Sequence, residues 1–528
     1  MNAKQTIEAG KAVLGIELGS TRIKAVLIDE DKKPIAQGDF EWENQLVDGL
    51  WTYSIDKVWE GLQACYASLR KNVTETYGCE IETLAAMGFS AMMHGYMAFD
   101  RQQHILVPFR TWRNTNTGKA ASALSRLFNF NIPLRWSISH LYQCILDGDE
   151  HVKDISYLTT LAGYVHWQLT GKFVLGVGDA SGMLPVDPAT HTYDAAMVEK
   201  FDKLIADKFY SWKLLDILPE SLMAGEDAGF LQADGAARLD VSGHLKPGIP
   251  VCPPEGDAGT GMVATNAVKP RTGNVSAGTS SFSMIVLEKD LSRPNDMIDV
   301  VTTPDAHPVA MVHCNNCTSE LNAWVKLFRE FQDLLGAGQQ DVYGLLYKHA
   351  LEGDPDCGGL VAFNYLSGEP VTGFTEGRPL FVRGPEDHFT LANFFRAQLY
   401  ASLAVLKIGN DVLFKEENVK VDRITGHGGL FKTPVVGQRI LSAALGTPIS
   451  VMETAGEGGA WGIALLASYR VRKEAGMSLS NFLEKNVFAG VEGTEIAATA
   501  ADREGFARFL ENYTACLPVE QAAVLNKA

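Results

Sequence analysis

The chain has 528 residues, of which 46% are hydrophobic and 21% charged, and its formal net charge is −17. That length exceeds one core and sets two large domains as the default, while the acidic balance argues against a nucleic-acid or anionic-membrane surface. No apolar run is long enough to span a bilayer, residues 1–11 lack a signal-peptide hydrophobic stretch, and eight scattered cysteines suit a reducing cytoplasm.

Residues 13–18 read as a strand, Gly19-Ser20-Thr21 as a turn, and 23–28 and 35–42 as two further strands of a meander. The turn offers N–H groups and two hydroxyls to a phosphate, with Arg22 and Lys24 nearby; a hairpin turn that binds nothing is the alternative. Residues 56–73 have helical spacing at Val58, Leu62, Cys65 and Leu69. A strand at 83–89 leads into Met92-Met93-His94-Gly95, and Phe109 to Asn114 follows. His94, Trp112, Arg113 and Asn114 supply donors, acceptors and an apolar platform for a polyol, although such residues also occupy ordinary strand ends. Residues 157–169 form a buried helix ended by Gly171. In the small-residue loop Gly178-Asp-Ala-Ser-Gly-Met183, Asp179 is either a second acid near a sugar or a turn former.

Near the middle of the chain, an apolar strand at 249–252 runs into a Pro- and Gly-rich turn that presents Asp257. A carboxylate on such a turn suits a general base; an Asp capping the next helix is the other reading.

The second half repeats the first hairpin. Residues 274–288 lie on 15–29 without a gap, which sets Gly278-Thr279-Ser280 on Gly19-Ser20-Thr21. Two such hairpins suggest a duplicated domain with one phosphate turn in each half. Cys314 and Cys317 have ligand spacing but no second pair and read as buried thiols. Thr318 or Ser319 caps a helix whose stripe of Leu321, Trp324, Val325, Phe328, Phe331 and Leu335 is expected in the core. A strand at 421–425 enters Gly426-His427-Gly428-Gly429, where a base or ribose can lie against backbone. Thr433 then caps a helix that starts at Pro434 and ends at Gly446. A strand at 449–452, the segment Glu457-Gly458-Gly459-Ala460 with its following helix, and a helical region from 481 complete the chain.

The ordered set Gly15-Ile-Glu-Leu-Gly-Ser-Thr21, Met93-His-Gly95, Gly256-Asp-Ala258, Ser276-Ala-Gly-Thr-Ser280, Gly426-His-Gly-Gly429 and Glu457-Gly-Gly-Ala460 resembles the FGGY carbohydrate kinases of the actin/hexokinase/Hsp70 superfamily. The resemblance implies an α/β fold of two ribonuclease-H-like domains, each with a mixed five-stranded sheet, and a cleft between them. Residues 1–262 would be the sugar-side domain and 263–528 the nucleotide-side domain. It implies ATP and Mg²⁺ as cofactors and Asp257 as the base that takes a proton from the attacking sugar hydroxyl. Gly19, Ser20, Thr21, Arg22 and Lys24 would face phosphate together with Gly278, Thr279 and Ser280, and Gly428 and Gly429 the adenosine. Glu17 and Asp257 would stand near the metal. Met93, His94, Trp112, Arg113, Asn114 and Asp179 would contact sugar.

The Met93-His94-Gly95 segment looks like xylulokinases. Residues 178–183, followed by Pro185 and Asp187, look more like ribulokinases, as does the length. L-Ribulose is therefore the first expectation, D-xylulose the second, and another polyol the third. A nucleotide-dependent sensor or ATPase without sugar transfer would use the same fold. Two positions depart from the family: Glu17 stands where Asp is usual, and Asn114 where an acid is frequent. The expected setting is cytoplasmic, with sugar and ATP as partners, neither nucleic acid nor membrane, and a homodimer allowed.

Overall fold

The structure is a computed structural model that describes residues 1–336, 338, 340–452, 458–491 and 493–526. The chain divides into two compact units. One comprises Met1–Lys269, Val300–Val309 and Glu457–Gly490; the other comprises Pro270–Asp299, Ala310–Gly456 and Val491–Ala528. Two late segments therefore return to the first unit. Among the described residues no helix is long and apolar enough to cross a membrane.

The first unit is built on five strands: β1 (Val13–Leu18), β2 (Arg22–Ile28), β3 (Pro34–Glu41), β4 (Ala86–Ala91) and β5 (Glu255–Gly256), in the order β5-β4-β1-β2-β3. β1 is antiparallel to β2 and parallel to β4, and β5 is parallel to β4. The central strands are covered on both faces, so they read as near-continuous apolar runs. The Ile55–Tyr77 helix covers one face with the expected row of Val58, Leu62, Cys65 and Leu69; Ser54 caps its start and left-handed Gly78 its end. The Gly458–Arg472 helix covers the other face at a very short distance. A Cβ on Gly15 would stand 2.1 Å from the Ala460 carbonyl oxygen, and one on Gly88 2.8 Å from the Ile463 side chain. The two glycines face each other across β1 and β4, which makes room for that helix.

A second sheet contains β6 (Thr272–Ala277), β7 (Ser281–Val286), β8 (Asp299–Thr302), β9 (Pro308–Cys314), β10 (Arg423–His427), β11 (Ile449–Val451) and β12 (Thr494–Ile496). Their order is β8-β9-β7-β6-β10-β11-β12, so the sheet has seven strands rather than the expected five. The middle five repeat the connectivity of the first sheet. β8 and β12 extend the edges because each is the neighbour in sequence of a strand it borders or pairs with antiparallel.

The repeated hairpin is present with one difference. Leu18 pairs with Ile23 across the first turn, whereas Ala277 pairs with Ser281 across the second. The second turn is thus one residue tighter, and the gapless overlay of 274–288 on 15–29 is one residue out of register across the second hairpin. Other expectations also shift. The Ser319–Leu334 helix buries Leu321 and Val325, but Phe331 is 57% and Leu335 67% exposed, so the lower stripe is not core. Thr318 sits at its N-cap position without accepting a cap bond; its hydroxyl donates to Gly278 O instead. The later helix is Val436–Leu445, two residues after the expected start, and ends at Gly446 as expected.

Candidate active site

The parallel strands β1, β4 and β5 bring their carboxyl ends together: Leu18 and Gly256 both pair with Ala91. Ligand sites of such sheets form beyond those ends. Asp257 leaves β5 there as the first residue of the Asp257–Ala264 helix. Gly256 is the N-cap, and no side chain caps this helix. The expected strand at 249–252 is reduced to isolated bridges at Pro250 and Val251. Asp257 is half-buried, and its Oδ1 accepts the Met93 N–H at 3.2 Å. Removal from bulk water pushes its carboxyl up to about 6, against the pull of the Met93 and Ala258 N–H groups.

Met93 and His94 turn sharply at this point. His94 has φ +68° and Gly95 φ +90°. For a histidine this conformation is strained, and the surroundings hold it. Ser137 Oγ donates to Gly95 O at 2.6 Å, and Gly95 N–H donates to Arg135 O. His94 Nδ1 donates to Gly182 O at 3.1 Å, and its ring stacks on Trp136. Asp179 lies beside them, fully buried. Its Oδ2 accepts from Thr160 Oγ1 at 2.6 Å, while Oδ1 has no partner. Burial pushes this carboxyl up to about 7, with Thr160 opposing and Asp257 adding to the rise. The Cβ that Gly256 lacks would stand 2.1 Å from Met93 Cγ and 3.2 Å from Asp179 Oδ1, so Met93 and Asp179 pack together against Gly256.

Four residues that adjoin His94 or Asp179 escaped the sequence reading: Trp136, Thr160, Tyr193 and Glu255. The Tyr193 hydroxyl is buried without a partner and feels the Asp179 charge. None of the four carries a local motif. Glu255 precedes Gly256-Asp257 directly, and a Glu in a stretch otherwise of Pro, Gly and apolar residues was the one available signal.

Other expected sugar residues are used differently. Trp112 Nε1 donates to Ser20 Oγ at 3.1 Å, Trp42 Nε1 to Gly19 O, and the Tyr53 hydroxyl to Ser20 O. These rings brace the first turn. Arg113 is exposed and lies 3.6 Å over the Trp51 ring. The Asn114 amide is spent on Trp51 N, Trp51 O and Thr111 O. Arg113 and Asn114 thus have Trp51 as a shared partner. Arg22 pairs with Glu41 and, at 3.6 Å, with Asp39, so its charge is shared on the sheet surface. Thr21 is exposed on the same turn.

Lys24 stands opposite Glu17 across β1 and β2. The Glu17 carboxylate accepts the N–H groups of Gly459 and Ala460; burial and then Asp257 push it up to about 7, while Lys24 pulls it down. Its longer side chain lets it reach the start of the Gly458–Arg472 helix. Glu457 lies outside the described residues. Two neighbouring carboxyls that both resist ionisation are a donor set that a dication would complete, and Mg²⁺ takes one or two carboxylates with water filling the rest. Glu17 and Asp257 therefore fit Mg²⁺. No group of three or more His, Cys, Asp or Glu placed for a metal occurs among the described residues.

In the second unit, Gly278 N–H closes its turn on Ser280 O at 2.9 Å, and Thr279 O accepts from Cys317 N–H. Gly428 has φ +103°, and a Cβ there would meet Ala277 O at 2.6 Å. Gly428 and Gly429 are exposed, at the end of β6 beside the Gly278–Ser280 turn. Cys314 and Cys317 are buried free thiols, as expected.

Comparison with known proteins accounts for both halves. Residues 12–264 match the model of the FGGY family of carbohydrate kinases, N-terminal domain, and residues 273–471 that of the C-terminal domain. A xylulose kinase of Lactococcus lactis subsp. lactis (strain IL1403) is 22% identical over 470 residues, covering 87% of each chain. Two solved structures from Lactobacillus acidophilus, a ligand-bound xylulose kinase and a gluconate kinase, align over 97% of this chain and 99% of theirs. Each is 17% identical, with TM-scores of 0.78 and 0.79, which establishes the fold.

Proposed function

The chain belongs to the FGGY family of carbohydrate kinases, and from that premise we propose that it transfers the γ-phosphate of ATP to a hydroxyl of a ketopentose, with Asp257 as the general base. Family membership sets aside the sensor or ATPase without sugar transfer. The observation that carries the reading is the half-buried Asp257 carboxylate at the joint carboxyl ends of β1, β4 and β5, fastened to the Met93 backbone and close enough to Asp179 to repel its charge. A carboxyl held near 6 is ionised at neutral pH yet basic enough to share a hydroxyl proton as phosphorus is attacked.

Met93, His94 and Asp179 form the sugar side of this reading. Ser20 and Lys24 are the phosphate-facing residues of the first unit in this reading; within the second unit Gly278, Thr279, Ser280, Gly428 and Gly429 are the nucleotide elements, and of these Thr279, Gly428 and Gly429 are exposed. Glu17 and Asp257 would hold Mg²⁺, which when bound would neutralise phosphate charge. Xylulose is the favoured ketopentose, because relatives matched along most of the chain act on it by name. L-Ribulose is the second reading, favoured by the ribulokinase-like segment 178–183. A cytoplasmic setting suits the eight free cysteines.

The test is sugar-phosphate formation from ATP across D-xylulose, L-ribulose, gluconate and glycerol. One sugar should react strongly, and Asp257→Asn should lower kcat by about 10²–10⁴ with ATP affinity kept. Full turnover by that variant removes Asp257 from the base role.

A further inference from the structure

Glu255 is 1% exposed, two residues before the proposed base, and its partners are backbone N–H groups rather than a cation. Its Oε1 accepts from Gly178 N–H at 3.2 Å and its Oε2 from Asp179 N–H at 2.9 Å. The loop is built around this carboxylate. A Cβ on Gly176 would stand 2.2 Å from Oε1, and one on Gly178 2.5 Å from Oε2. The same loop is tied from behind, where Thr302 N–H donates to Ser181 Oγ and the Thr302 hydroxyl to Val177 O.

Asp179 adds a second observation that points to a ligand. One of its oxygens is bound to Thr160, and the other, fully buried, has no donor and stands beside Gly256 and Met93. A buried acceptor is left unmet only at a penalty, so a donor from outside the chain belongs there.

We infer that Glu255 is a positioning residue of the sugar site: it fixes the backbone of Gly178 and Asp179, and so holds Asp179 Oδ1 out to accept from a sugar hydroxyl other than the one phosphorylated. The inference rests on the sugar-kinase reading. Only a carboxylate serves, because both oxygens accept from consecutive N–H groups; an amide at this position sets an NH₂ group against one of them. Glu255 itself touches neither the sugar nor the phosphate.

The experiment is steady-state kinetics of the full chain and of Glu255→Gln, Gly178→Ala and Asp179→Asn, on the best ketopentose and on analogues each lacking one hydroxyl. Glu255→Gln should raise KM for the sugar about tenfold, the scale of one hydrogen bond, while kcat and KM for ATP move little. On the analogue lacking the hydroxyl that Asp179 reads, the Glu255→Gln and Asp179→Asn penalties should both vanish. On the parent sugar the two penalties should not add. Gly178→Ala, which drives a methyl at the same carboxylate, should give the same KM-selective loss and serves if Glu255→Gln does not fold. A loss spread equally over all analogues and over ATP, or no loss, overturns the positioning role while the kinase reading stands. Wild-type protein inactive on every sugar overturns both.

Discussion

Asp179→Asn should make the protein more stable at alkaline pH while it impairs sugar binding. The Asp179 carboxyl is raised from 3.8 to about 7, burial being the largest cause. A group with a raised folded pKa contributes its full stability below the unfolded value, and that contribution is lost as pH rises through the folded value. For Asp179 the window runs from about pH 4 to about pH 7. About three units at 1.36 kcal/mol each make the wild-type loss roughly 4 kcal/mol by pH 8. Asparagine removes that loss. It keeps an oxygen for Thr160 but leaves a buried N–H unpaired, which costs about 1–3 kcal/mol. The net gain expected at pH 8 is therefore about 1–3 kcal/mol, shrinking and changing sign toward pH 4, where the wild-type acid is neutral. The assay is the thermal midpoint of both proteins from pH 4 to pH 8, with sugar KM measured at pH 8. A variant less stable than wild type at pH 8, with an unchanged pH slope, would refute the claim that Asp179 is buried as an uncompensated acid.

Two further substitutions test the packing on which the site stands. Gly15→Ala drives a methyl into the Ala460 carbonyl region, 2.1 Å away, so a loss of about 1–3 kcal/mol is expected; an unchanged melting temperature would contradict the close helix approach. In the second unit Asp502 holds Arg396 at 2.7 Å and Arg439 at 2.7 Å and is itself buried. Asp502→Ala takes the only carboxylate partner among the described residues from the buried Arg396 charge, which keeps hydrogen bonds to Tyr400, Leu351 and Gly353, and should destabilise by about 3–5 kcal/mol, which denaturant titration would read; a loss below 1 kcal/mol would show that the network is dispensable.

Much of this architecture is legible because its signals are local. The two hairpins announce themselves by apolar runs on either side of Gly19-Ser20-Thr21 and Gly278-Thr279-Ser280, and Asp257 by its place among glycines. The one-residue slip in the second hairpin is not legible, because residue likeness does not record backbone register. The stripe of the Ser319–Leu334 helix misleads in the other direction: Phe331 and Leu335 keep the period of a core face, yet the face is uncovered there. Arg113 and Asn114 look like sugar ligands by type, and no linear pattern records that the Trp51 ring and backbone are their partners. Glu255 was invisible for the opposite reason. Its partners lie 76 and 77 residues earlier in the chain, and a single acid next to a glycine has no periodicity.

The return of residues 457–490 to the first unit bears on how the protein is made. When Lys269 leaves the ribosome, Gly15 and Gly88 still lack the Gly458–Arg472 helix that packs on them. At ~5–20 residues per second, roughly 10–40 s pass before that helix emerges. Throughout this interval one apolar face of the first sheet is open on the nascent chain, a surface for chaperones to hold. Slowing translation within the second half should therefore lengthen the exposure of a nearly complete first unit, and a chain halted near residue 450 should keep that face uncovered however correctly its other elements have formed.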